Sequence, residues 1–255
     1  MNSISEITKK ASIAFEQYAF TSALQRANFL ETIASNIEAL GDTLLEQAHK
    51  ETNLPLVRLQ GERARTCFQL RMFATMLKEG HYVEASIDTA IPSKTPPKPD
   101  IRKMLHPIGP VVVFGASNFP FAYSTAGGDT ASALAVGCPV IVKAHPAHLA
   151  TSTLVAEAIV QAAETTKMPK DVFQHITLTS FEIGKALVQD ENVYAVGFTG
   201  SRNGGRALLD YASARKNPIP VFAEMGSVNP VILLQEALEK NAQSIAKNYA
   251  GSITL

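Results

Sequence analysis

From Met104 onward the chain alternates short runs of strand-forming residues with helical stretches, and that alternation restricts what it can fold into. The strand candidates are residues 111–114, 140–142, 173–178, 193–198 and 219–222. Helical patterns lie between them at about 125–136, 149–164, 183–189 and 205–214. Strands separated by helices cannot pair as hairpins. They pair in parallel, and a parallel sheet needs helices over both faces. The expected fold is α/β, a Rossmann-like doubly wound parallel sheet over residues 104–255, preceded by an N-terminal helical segment. At 255 residues, 46% of them hydrophobic, the chain has ample material for a core.

The first eighty residues carry helical periodicity. Ile7, Ala11, Ala14, Phe15 and Tyr18 recur at helical spacing. Ser22-x-x-Gln25 reads as a capping box that opens a second amphipathic run through Leu24, Ala27, Leu30, Ile33, Ala34 and Ile37, ended by Gly41. A third run covers about 42–51. A fourth, through Leu56, Leu59, Arg63, Cys67, Leu70, Phe73 and Leu77, stops at Gly80. Residues 1–82 are therefore expected as helices packed on the sheet domain. Residues 83–103 contain Pro92, Pro96, Pro97 and Pro99, which forbid an interior helix or central strand. That segment reads as an exposed arm with extended pieces at its ends.

Composition excludes several function classes. A formal net charge of zero gives no electrostatic reason for binding nucleic acid or an anionic membrane surface. Residues 1–14 have lysines but no apolar core of signal-peptide length, and no apolar run is long enough to span a bilayer. Two cysteines make no disulfide framework, so the expected setting is a reducing cytoplasm. Cys67 sits on an apolar helical stripe and Cys138 precedes a strand that should be buried. Both read as packing residues.

Chemistry concentrates in residues 192–230. The run Val193, Ala195, Val196, Phe198 ends in Thr199, Gly200 and Ser201 before a helical pattern begins. A helix that starts at such a turn presents unpaired N–H groups, a natural seat for a phosphate. Gly200-x-x-x-Gly204-Gly205 matches neither a dinucleotide fingerprint nor a P-loop, and taken alone it reads first as a tight strand-to-helix turn. Glu224 ends the last strand candidate, where ligands of open α/β sheets bind, although a lone glutamate there is ordinarily a solvated loop charge. Lys143 ends the second strand and Asn118 follows the first, in Gly115-Ala-Ser-Asn-Phe-Pro120. A rigidly held amide can stabilise an oxyanion, and an Asn before Phe-Pro can also simply close a turn. Ser117 lacks the second glycine of a hydrolase elbow. His145 and His148 are separated by Pro146 with no third ligand nearby, so no metal site is expected.

Phe198-Thr-Gly-Ser201, Ala223-Glu-Met-Gly226, Gly115–Pro120 and Val142-Lys143 together resemble the aldehyde dehydrogenase superfamily. Within it the similarity is greatest to α-ketoglutaric semialdehyde (2,5-dioxovalerate) dehydrogenases, carried by FGASNFPFAYSTAGGDTASALAVGCPVIVKAHPAH. The resemblance runs through essentially all of this chain and covers about the first half of a family member. It implies oxidation of a small-molecule aldehyde to the acid with NADP or NAD as hydride acceptor. By resemblance, Asn118 is the oxyanion donor and Glu224 activates the hydrolytic water. Lys143 bonds the adenosine ribose, and Gly200, Ser201, Gly205, Met225 and Gly226 belong to the cofactor site. Many NAD-preferring members carry a glutamate where this chain has His145, so NADP is expected to bind at least as well as NAD. The 83–103 arm begins an antiparallel extension that contacts another subunit, which implies a homo-oligomer.

The family nucleophile, a cysteine thiolate, matches nothing present. The chain's apolar end looks like an interrupted domain, so the catalytic domain is expected to be absent and the chain inactive by itself. The alternative is a non-catalytic fragment that binds nucleotide or a partner.

Overall fold

The structure is a computed structural model, and it describes residues 3–254. Four helices come first: α1 (Ile4–Tyr18), α2 (Ala23–Ala39), α3 (Gly41–Thr52) and α4 (Leu56–Glu79). Two short exposed strands, β1 (Ser86–Asp88) and β2 (Ile101–Lys103), pair antiparallel at the ends of the proline-rich segment. Alternation follows through β3 (Val111–Phe114), α5 (Gly128–Val136), β4 (Val140–Lys143), α6 (Leu149–Thr165) and β5 (Phe173–Ile176). It continues through α7 (Phe181–Gln189), β6 (Ala195–Thr199), α8 (Arg202–Ser213) and β7 (Val221–Glu224), with α9 (Gln235–Thr254) last. Packing divides into two compact units, one running to Met225 and one from Gly226 on. In the second unit α9 is interrupted at Asn241, and none of its described residues is buried.

The local signals act as the residue chemistry requires. Ser22 and Gln25 close a reciprocal capping box on α2, and Gly80 ends α4 in the left-handed region at φ 79°. Gly41, at φ 58°, does more than end a helix: it turns the chain so that α3 begins at once. β7 starts at Val221, two residues later than expected. Pro220 has no N–H to give the ladder, and its carbonyl instead accepts from Val196 N–H. α8 starts at Arg202, three residues earlier than expected, because Ser201 caps it.

The five main strands run parallel in the order β5-β4-β3-β6-β7. Alternate residues of β3 serve opposite cores. Val111 and Val113 join Leu30, Ile33, Leu70, Leu134 and Ile159 on one face, whereas Val112 joins Ile141, Val196, Leu187 and Leu208 on the other. The N-terminal helices thus share a core with the sheet, and the Tyr18 hydroxyl and Arg26 Nε cap α5 by donating to the Leu134 and Ala135 carbonyls at 2.8 and 2.7 Å. The buried stripe of α4 departs from the expected one. It runs through Leu59, Glu62, Thr66, Cys67, Leu70, Ala74 and Leu77, while Leu56 is exposed.

A polar chain crosses the β4–β5 side. Thr125 Oγ1 lies 2.6 Å from Ser152 Oγ, which lies 2.7 Å from His175 Nε2. Burial pulls His175 down to about 4. The folded chain therefore keeps this ring neutral where the unfolded chain would protonate it near 6.5. Its contribution to stability is complete above pH 6.5 and is lost as pH falls from 6.5 toward 4, on the order of 3 kcal/mol. Denaturant midpoints measured between pH 7 and pH 4 should fall for the wild type and fall much less for His175→Gln. Equal acid dependence in both proteins would contradict this assignment.

Candidate functional site

The strand order creates a switch point. From β3 the chain moves to β4 on one side, while from β6 it moves to β7 on the other. The region beyond the carboxyl ends of β3 and β6 is therefore the usual ligand position in an open α/β sheet. Because every pair is parallel, the strand ends share one edge. Lys143 and Glu224 are the last residues of β4 and β7, Gly200 and Ser201 follow β6, and Asn118 lies in the loop after β3. Gly226 belongs to the second compact unit.

The β6–α8 turn shows what its glycines are for. A Cβ on Gly200 or Gly204 would stand 2.7 or 2.9 Å from the Phe198 ring, and one on Gly205 would meet Met225 Sδ at 2.6 Å. Glycines here admit Phe198 and Met225 against the helix. Ser201 Oγ accepts Gly204 N–H at 3.2 Å, and Gly205 N–H reaches the Ser201 carbonyl. The N–H groups of Arg202 and Asn203, in the first turn of α8, have no hydrogen-bond partner among the described residues.

At the end of β4, burial pulls the half-buried Lys143 ammonium below the ordinary lysine range, with no carboxylate acting on it. His145 is likewise held down by burial, then by His148 and Lys143. Its Nδ1 accepts Ala147 N–H at 3.1 Å, so the neutral ring carries its proton on Nε2 and offers a donor there. His148 is fully buried. Its Nε2 donates to the Ala116 carbonyl at 2.8 Å, tying the β4 loop to the β3 loop. The N-terminus of α6 is occupied from within: Glu51 of α3 accepts from Ala150 N–H, Thr151 N–H and the Thr151 hydroxyl at 2.9, 2.8 and 2.6 Å. Burial would raise the Glu51 carboxyl, but these bonds hold it below its ordinary value.

Asn118 is exposed, and its carbonyl accepts from Arg58 of α4 at 2.9 Å while its side chain has no hydrogen-bond partner among the described residues. Glu62 of α4 accepts from Phe121 and Ala122 N–H at 2.8 and 2.9 Å, and burial pushes its carboxyl up. Glu224 is exposed, as a strand-end glutamate ordinarily is. Beside it stands Asp129 of α5, pushed up by burial and then by the Glu224 charge. Gly197 gives Asp129 room, since a Cβ there would meet it at 3.0 Å. Sequence reasoning passed over Arg58, Glu62, Glu51 and Asp129. The one available signal was the charged series Arg58, Glu62, Arg65 at i, i+4, i+7 on an otherwise amphipathic helix. Among the described residues no three His, Cys, Asp or Glu side chains gather to hold a metal, and no helix is long and apolar enough to cross a membrane.

Comparison with known proteins sets the chain in a wider group. The chain is 56% identical over 243 residues to α-ketoglutaric semialdehyde dehydrogenase 2 of Azospirillum brasilense, covering 95% of this chain and 46% of that one. It is 47% identical over 256 residues to α-ketoglutaric semialdehyde dehydrogenase of Acinetobacter baylyi, covering 100% and 48%. The chain thus spans about half the length of the curated relatives it matches. Its fold matches that of a salicylaldehyde dehydrogenase from Pseudomonas putida G7 with a TM-score of 0.79 at 19% identity, covering 94% of this chain and 48% of that one. The model of the aldehyde dehydrogenase family matches residues 2–253. The chain belongs to the aldehyde dehydrogenase family.

Proposed function

We propose that these residues form the cofactor-binding part of an enzyme that oxidises a semialdehyde, of the α-ketoglutaric semialdehyde type, to its acid with NADP or NAD. The observation that carries this reading is Lys143: a half-buried cation at the sheet edge, without a counter-charge, on the same edge as the first turn of α8. A dinucleotide supplies both missing partners, ribose oxygens for the lysine and a pyrophosphate for the Arg202 and Asn203 N–H groups. Bound NAD(P) supplies the hydride acceptor. Around it, we assign the exposed Asn118 amide to donate to the oxygen of the aldehyde and the exposed Glu224 to take a proton from water. Gly200, Ser201, Gly205 and Met225 shape the backbone against which the nucleotide lies.

The thiol that attacks the aldehyde is not among these residues. Cys67 and Cys138 are both buried, and burial pushes Cys67 up to about 11 and raises Cys138 as well, so each remains a protonated packing residue. Taken alone the chain is a nucleotide-binding unit. Its two unpaired thiols suit a reducing cytoplasm. Ile87 and Ile101 are exposed on the β1–β2 arm, which we assign to contact with a neighbouring subunit.

Two outcomes follow for the purified chain. In calorimetry NADP should bind at least as tightly as NAD. Lys143→Met should weaken both about tenfold, and His145→Glu should weaken NADP selectively by about tenfold through like-charge repulsion. A clear wild-type preference for NAD would contradict the cofactor assignment. In a turnover assay with α-ketoglutaric semialdehyde and NADP, no NADPH should form. Turnover that disappears with Cys67→Ala or Cys138→Ala would overturn the placement of that thiol.

A further inference from the structure

We propose that Arg58 and Glu62 are positioning residues for Asn118, so that one face of α4 sets where the free amide stands at the sheet edge. This rests on the reading of Asn118 as the oxyanion donor. The loop between β3 and α5 has no regular structure of its own, yet a donor to a developing charge must be fixed before the charge appears. The loop closes on itself through Ala116 N–H and the Tyr123 carbonyl at 2.7 Å, and the segment from Asn118 to Ala122 is fixed from outside it. Arg58 Nη2 donates to the Asn118 carbonyl at 2.9 Å, and its guanidinium lies 5.1 Å from the Phe119 ring centroid. One turn on, a single Glu62 oxygen accepts both Phe121 and Ala122 N–H. Arg65, a further turn along, donates to the Tyr123 hydroxyl at 2.7 Å. The grip at 118, 121 and 122 is on the main chain, leaving the Asn118 side chain unengaged.

The cost of this arrangement argues for a role beyond stability. Glu62 is only 6% exposed, and its second carboxylate oxygen has no partner among the described residues. A charge buried with half its lone pairs unmet is a poor stabiliser, and an apolar side chain of similar size commonly does as well or better. Its two N–H bonds do something an apolar side chain cannot: they fix the direction of the main chain three residues after Asn118.

The test is amide hydrogen exchange by NMR on the full chain, with the Asn118 side-chain amide signals as a second readout. Glu62→Leu should speed exchange at Phe121 and Ala122 by about tenfold or more and move the Asn118 side-chain signals toward those of a free asparagine. Exchange in β3 and β4 and the melting temperature should stay unchanged, or the latter should rise. Glu62→Gln, which keeps an acceptor oxygen, should restore protection to within about threefold of wild type. Arg58→Lys should move the Asn118 signals while leaving Ala122 protected. The proposal is overturned if Glu62→Leu leaves loop exchange within twofold of wild type. It is also overturned if protection is lost only together with that of β3 and β4, or if it is lost without moving the Asn118 signals. Asn118→Ala should keep Phe121 and Ala122 protected, because the carbonyl that Arg58 holds is unchanged. Loss of aldehyde turnover when the matching asparagine is changed to alanine in the full-length Azospirillum brasilense relative tests the oxyanion reading separately, so either reading can fail alone.

Discussion

The site depends on the pairing of β3 with β6. These strands are distant in sequence, but the ladder sets Val111 beside Ala195 and Phe114 beside Phe198. The two chain directions diverge at that seam, and both strands stop at the same level. The Asn118 loop and the Ser201-capped start of α8 thereby follow neighbouring strands at one edge of the sheet. A different neighbour for β3 would leave the same loops intact and scatter them along the sheet. The seam holds because β3 is buried on both faces, with Val113 in one core and Val112 in the other. A one-residue slip would exchange the two sets of side chains.

A second layer of organisation comes from the N-terminal helices. They supply no group that the proposed chemistry uses directly. They supply carboxylates and guanidiniums that end the loops: Glu51 completes the first turn of α6, and α4 grips the chain from Asn118 to Tyr123. His148 links the β3 and β4 loops through the Ala116 carbonyl. Loops at a ligand-binding edge are ordinarily the least ordered part of a domain. In this chain they are fastened to helices, consistent with a site that must hold donors still.

Much of this was legible in the sequence, and what was not has a common cause. The strands, the Ser22 capping box and the Gly80 stop are local signals, readable within a few residues. The edge positions of Asn118, Lys143, Ser201 and Glu224 were legible because each ends or follows a strand, and strand ends of a parallel sheet share an edge. Glu62 and Glu51 were not, since their partners lie 59 and 100 residues away and nothing local marks a glutamate as buried. The glycines after β6 were legible as a tight turn, but not the side chains they admit. Phe198 and Met225 fill that space from β6 and from just beyond β7.

The central claim is that the carboxyl edge at the β3–β6 seam is where the chain holds a dinucleotide. A crystal structure of the chain grown with NADP tests it directly. The account predicts pyrophosphate oxygens within hydrogen-bond distance of the Arg202 and Asn203 N–H groups and a ribose beside Lys143. Nucleotide bound at the amino ends of the strands, or in the groove lined by His106, Val136 and Phe222, would contradict it.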